Sequence, residues 1–205
     1  MAARLIDKMS PESNERKVDE MVFQKFEQKH GPAKSCQSVT PQDLETYKGK
    51  FPDDLLSLWK ESGWCSYADG LLWTINPAEY SAIVKEWIGD DSLLAFVRTA
   101  FGSLLLWNGE QARFLDVLSG DVSNLFTTMD FNFNGSLSDD KYLDAVIRRD
   151  VFVEALPRLG PPARDECYAF VPALPLGGPG TADTLQKVKL REHLSLLLQL
   201  IKSGE

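Results

Sequence analysis

Residues Leu93–Met129 read LLAFVRTAFGSLLLWNGEQARFLDVLSGDVSNLFTTM. Four short runs within them, Leu93–Thr99, Ser103–Trp107, Ala112–Leu118 and Asn124–Met129, are β-prone, rich in branched and aromatic residues that fit a pleated, half-buried surface. Gly102, Asn108-Gly109 and Ser119-Gly120-Asp121 separate the runs. Asn-Gly between apolar runs signals a hairpin, because its turn needs the positive φ angles that these two residues tolerate. The stretch therefore predicts an antiparallel meander of about four strands.

The flanking residues change period. Upstream, Val18, Met21, Val22 and Phe26 recur at helical spacing, and Gly31-Pro32 stops that helix. Residues 33–40 read as a polar connector. Thr40-Pro41 opens a second helix, with Thr40 as N-cap and Pro41 in the first turn. Pro52 opens a third, whose positive end carries Asp53 and Asp54 and whose buried side carries Leu55, Leu56 and Trp59. Gly63 ends it, and Trp64–Gly70 reads as an aromatic loop with its turn at Asp69-Gly70. Leu71–Ile75 predicts a strand. Asn76-Pro77 caps a helix with Tyr80, Ile83, Val84 and Trp87 on one stripe.

Downstream of Ser138 two helical stripes follow, Tyr142, Leu143, Val146 and Ile147, then Phe152, Ala155 and Leu156. Gly160-Pro161-Pro162 breaks the chain, Cys167–Val171 predicts a buried strand, and 172–180 an irregular loop. A terminal helix carries Leu190, Leu194, Leu197, Leu198 and Ile201 on one face. Leu196 and Leu200 widen that face, which predicts a helix wedged into the core. Helices at both ends of an antiparallel run predict an α+β fold: a central, mainly antiparallel sheet flanked by N-terminal and C-terminal helices. Residues 1–16 predict a flexible N-terminus; 17–108 and 109–205 either fold separately or share one sheet.

Charge and cysteine content narrow the function classes. Thirty acids against 22 bases give a net charge of −8. Residues 1–108 and 109–205 each carry −4, so no acidic tail produces the total. Nucleic-acid binding needs a clustered basic footprint, which is missing, whereas an acidic surface attracts a basic protein partner. Cys36, Cys65 and Cys167 are odd in number, widely spaced and without a CxxC, which argues against a disulfide framework or a zinc site. Residues 1–16 lack the apolar run of a signal peptide. No apolar run approaches the roughly 20 residues that span a bilayer. The expected location is the reducing cytoplasm, with no cofactor and no membrane or nucleic-acid partner.

Asp130-Phe131-Asn132-Phe133-Asn134-Gly135 matches the first half of a calcium loop, but the twelfth position, which should be a bidentate Glu, is Lys141. A polar turn is the better reading. His30 sits at a helix end and His193 inside the terminal helix, neither in a recognisable nucleophile context. The adjacent pairs Asp53-Asp54 and Asp139-Asp140 point about 100° apart on a helix and suit capping better than acid–base catalysis. Gly177-Gly178-Pro179-Gly180 lacks the lysine and spacing of a phosphate loop. Trp64, Tyr67 and Trp73 fall within ten residues, and such aromatic residues dominate protein–protein hot spots. Core packing competes with that reading for Trp64 and Trp73, and Tyr67 is the one expected to be exposed.

Three strings carry a family resemblance: Phe51–Trp59, Gly63–Trp73 with Asn76–Tyr80, and Ala100–Trp107. They resemble the bacterial GAD-like domain, which assigns residues 17–108 to it. Glu166–Gly178 and Leu185–Leu194 resemble the signature of a small domain of unknown function that often follows it, which assigns 109–205. Proteins with this pair are similar to type VI secretion system immunity proteins of the Tde/Tdi kind. The resemblance implies a partner, a DNase effector encoded next door, and an inhibitor that is not an enzyme. Loop placement and charge then make Asp53, Asp54, Tyr67, Asp69 and Trp73 the candidate partner contacts, with Leu176, Gly177 and Gly178 as a second set. The rival readings are a ligand-binding or regulatory module, and a small hydrolase, which would place His193 in an open pocket beside Asp and Ser.

Overall fold

In the computed structural model, which describes residues 22–204, the meander grows to seven strands. The expected loose N-terminus and Val18 and Met21 lie outside the described residues. The strands are β1 (Lys34–Gln37), β2 (Trp64–Tyr67), β3 (Leu72–Thr74), β4 (Leu94–Thr99), β5 (Leu104–Trp107), β6 (Ala112–Asp116) and β7 (Asp121–Asn124). All neighbours are antiparallel and the spatial order equals the chain order. The sheet runs through residue 108 without a break, because β5 and β6 pair across it. Seven α-helices among the described residues pack around it: α1 (Gln24–His30), α2 (Pro41–Tyr47), α3 (Asp53–Ser62), α4 (Pro77–Ile88), α5 (Asp140–Ala145), α6 (Arg149–Leu159) and α7 (Leu190–Gly204). A separate hairpin, β8 (Glu166–Phe170) with β9 (Leu185–Lys189), completes the α+β fold.

Local chemistry sets most boundaries as expected. Thr40 and Asp43 form a reciprocal capping box at α2. Asn76 Oδ1 accepts from Ala78 N at 3.0 Å with Pro77 in the first turn of α4. Asp139 caps α5 by accepting from Tyr142 N at 2.8 Å. The Asn108-Gly109 hairpin forms with Gly109 at φ 99°, and Asn108 Oδ1 holds the turn by accepting from Glu110 N and Gln111 N.

Several expectations are corrected. The fourth strand lies at Asp121–Asn124 rather than Asn124–Met129. Asp116 O ends β6 by accepting from Gly120 N at 2.8 Å, and Val117 and Leu118 leave the ladder to enter the core. The polar connector 33–40 contains β1, whose four residues are all exposed and so lack any apolar alternation. Trp64–Gly70 is not a loop: its first four residues are β2, buried throughout between β1 and β3, followed by a single turn at Ala68–Gly70. The terminal helix is not wedged. Leu190, Leu194 and Leu197 of α7 are buried while Leu196 is half exposed, as in an ordinary amphipathic helix. It lies on the β4–β5 turn, where a Cβ on Gly102 (φ +90°) would meet Leu194 Cδ2 at 2.9 Å.

Cysteine pairing is a further correction. Cys36 and Cys65 form a disulfide with Cα atoms 4.1 Å apart. Antiparallel pairing of Lys34 with Ser66 and of Gln37 with Trp64, with a bulge between, brings the two cysteines face to face across 29 residues of chain. Sequence spacing carries no information about such a contact.

Distant parts of the chain meet at a seam built on a buried arginine. Arg98 on β4 is wholly buried; its guanidinium donates to Thr99 O, Ala163 O and Arg164 O at 3.0–3.2 Å. It stacks 4.7 Å from the Trp73 ring centroid, and Arg164 lies over the same ring at 5.4 Å. Arg164 donates in turn to Trp64 O at 2.7 Å and Ser35 O at 3.1 Å. The segment before β8 is thus fastened to β1, β2 and β4.

Candidate functional site

The sequence-predicted contacts separate into buried and exposed groups. Tyr67 and Trp73 are 1% and 2% exposed. They are core residues, which corrects the expectation of surface anchors. Tyr67 packs edge-on to Phe26 at 4.9 Å, and desolvation pushes its hydroxyl up to about 12. Trp73 is the platform of the arginine stack, and its indole donates to Gly70 O at 3.1 Å. Trp64 is likewise buried.

The carboxylates are exposed. Asp53 and Asp54 occupy the first turn of α3. Asp69 sits in the turn after β2 with φ 55°, a left-handed conformation that Asp and Asn tolerate, and it pairs with Lys34 at 2.8 Å. The two groups stand on different elements, the start of α3 and the turn after β2. The 172–180 loop is also presented to solvent. Leu176 is 63% exposed and Gly177 exposed. Gly178 has a structural role besides: a Cβ there would fall 2.0 Å from Pro172 O.

The structure adds a surface that the sequence reading passed over. Phe126 and Phe131, each 47% exposed, lie with ring centroids 4.0 Å apart. Phe131 also walls a cleft of about 760 Å³ between α1 and the 131–142 segment, with Lys25, Lys29, Ser138 and Tyr142 on its other sides. Exposed aromatic pairs of this kind mark binding sites more often than solitary apolar residues do. Two phenylalanines five residues apart in an Asn/Asp-rich stretch were the available signal, and the calcium-like spacing of that stretch concealed it.

That spacing serves the backbone. Asn132 is buried and donates to Phe126 O and Thr128 O; Asn134 Oδ1 accepts from Phe26 N at 3.2 Å, and its amide donates to Asp130 Oδ1 at 2.7 Å. In place of a simple polar turn, residues 131–138 form a short helical run that packs Phe133 against Phe23, Phe26 and Phe96. Among the described residues no group of three His, Cys, Asp or Glu side chains is disposed to hold a metal.

The histidines do not assemble catalytic machinery. His30 ends α1, and its Nε2 is 2.5 Å from Leu137 O. His193 is buried on α7, and its Nε2 has no partner among the described residues. It does not stand in an open pocket beside Asp and Ser, as a hydrolase would require. Burial holds both imidazoles below their ordinary 6.5. As pH falls through that value the unfolded chain takes up protons that the folded protein accepts only at lower pH. Stability therefore falls on going from about pH 7 to about pH 5, above the range where carboxylates titrate. Melting temperatures over this window should fall, and His193→Leu should flatten the slope; an unchanged slope would remove His193 as a contributor.

The α+β fold thus presents exposed carboxylates and a half-exposed aromatic pair at its surface. Residues 20–120 match the GAD-like domain family. Residues 130–201 match the family described as T6SS immunity protein Tdi1, C-terminal. The chain belongs to the type VI secretion system immunity proteins of this two-domain kind. The crystal structure of Atu4351 from Agrobacterium tumefaciens shares the fold, with a TM-score of 0.72 at 17% identity over 86% of this chain and 88% of that one. Comparison with curated proteins finds no match. Among the described residues no helix is long and apolar enough to cross a membrane.

Proposed function

We propose that this immunity protein neutralises a cognate DNase effector by covering its active or DNA-binding site, acting in the cytoplasm and making or breaking no covalent bond. The match of residues 130–201 to an immunity-protein domain carries the reading. The net charge of −8, shared equally between the halves, supports a DNase as target, since a DNA-binding cleft is basic. Asp53, Asp54 and Asp69 supply carboxylates for such a cleft, and Leu176 with Gly177 and Gly178 a second, apolar contact. One active nuclease can damage a chromosome, so dissociation must be very slow; nuclease–immunity pairs reach about 10⁻¹³ M or tighter.

The test is co-expression with the product of the neighbouring effector gene, scoring survival and co-purification. Cells carrying the effector alone should die with fragmented DNA, and cells carrying both should grow and yield a stable complex. Absence of protection and of a complex would end the proposal, as would turnover of a substrate by the purified protein alone.

A further inference from the structure

The disulfide is the one covalent link in the described fold that neither the family match nor the binding role accounts for, and its setting is asymmetric. Cys36 is exposed on the edge strand β1, whereas Cys65 is wholly buried on β2. Noncovalent attachment of β1 is thin. It pairs with β2 at only two register positions on either side of a bulge, Ser35 has a positive φ, and all four residues are exposed. Its remaining ties are Ser66 Oγ donating to Lys34 O, Arg164 donating to Ser35 O, and the exposed Lys34–Asp69 pair. The third cysteine, Cys167, is buried, and desolvation pushes its thiol up to about 12, so it takes no part in exchange.

We propose that Cys36 and Cys65 form a reversible thiol–disulfide lock that fastens β1 to the sheet when the protein meets a small-molecule disulfide such as oxidised glutathione, and releases it under reducing conditions. The chemistry follows from access. Cys36 loses its proton, and its thiolate attacks oxidised glutathione, expelling one glutathione thiolate and leaving a mixed disulfide on Cys36. Cys65 then gives up its proton, and its sulfur displaces the second glutathione to form the Cys36–Cys65 bond. Two protein thiols are oxidised and one glutathione disulfide is reduced to two thiols. In reverse, an external thiolate reaches only the Cys36 sulfur, and the leaving group is the Cys65 thiolate. Expelling a buried thiolate is unfavourable, so the closed lock resists weak reductants. Closure ties off the loop that carries α2 and α3 and fixes Lys34 against Asp69.

The full chain is equilibrated in glutathione buffers from fully reduced to fully oxidised, quenched with acid, unfolded and alkylated, and the labels are counted by mass. Reduced protein should take three labels and oxidised protein one, on Cys167. Oxidation should raise the melting temperature by roughly 7–14 °C, as closing a loop of this length implies for a chain of this size. Amide exchange at residues 34–37 should slow by on the order of 10-fold or more, with α4 and β4 unchanged. Cys36→Ser should melt like the reduced wild type in every buffer. Three labels at all ratios would overturn the proposal, as would a bond that forms without changing exchange at β1 or the melting temperature. The outcome does not depend on the identity of the toxin.

Discussion

Replacing Arg98 by Met is expected to cost about 3–5 kcal/mol of folding stability and to lower the melting temperature by roughly 10 °C. Methionine keeps much of the arginine's length and apolar stem but none of its donors. Thr99 O, Ala163 O and Arg164 O each lose a charge-assisted hydrogen bond, although Thr99 O and Ala163 O keep backbone donors in Gly102 N and Glu166 N. A hydrogen bond to a charged group contributes about 1.5–3 kcal/mol. The stack on Trp73 is lost as well. The damage should be local in origin and global in effect. The segment 163–165 would come away from β4, and with it the Arg164 anchor to Trp64 O and Ser35 O. Urea unfolding should show a lower midpoint with an unchanged slope. A loss below about 1 kcal/mol would mean that the seam is held by apolar packing, and that the buried guanidinium is nearly neutral against a hydrophobic residue, as other buried ions have proved.

Arg98 also shows where the sequence was legible and where it was not. Wherever a boundary rests on local chemistry, it could be read directly: the Thr40 and Asn76 caps, the Asn108-Gly109 turn, the Gly160-Pro161-Pro162 break. Three strands of the meander followed from β-prone runs alone. β1 did not, because Lys34–Gln37 has no apolar member except Cys36 and is a strand only through its pairing with β2. β2 was mistaken for a loop because four consecutive buried residues show no alternation. Arg98, set among apolar residues in β4, gave no sign that carbonyls 65 and 66 residues further on would surround it.

The site was less legible than the fold. Residue type correctly marked Asp53, Asp54, Asp69 and Leu176 as surface groups. It failed for Tyr67 and Trp73, because an aromatic side chain serves a core and an interface equally well, and only the tertiary packing decides. The Phe126–Phe131 pair was missed for the converse reason: its neighbours suggested a turn, and turns are not expected to display paired aromatic rings.

Reversing the acidic groups should have its largest effect on association with the toxin. Asp53→Lys and Asp54→Lys combined with Asp69→Asn are expected to slow the association rate by about 10- to 100-fold at low salt, with a shrinking difference as salt screens the field. Asparagine is used at position 69 because φ is 55° there, and Lys would add backbone strain to the loss of charge. The two lysines sit at the positive end of α3 and should cost about 0.3–1 kcal/mol each in stability, so melting of the free variant must be measured beside binding. Leu176→Asp probes the second contact differently. An apolar residue 63% exposed in the free protein contributes by being covered. Its replacement should raise the dissociation rate while leaving association and its salt dependence unchanged. Unaltered binding in the triple variant would remove this acidic surface as the toxin's landing site. Attention would then pass to the Phe126–Phe131 pair, whose replacement by serine would be expected to release the complex.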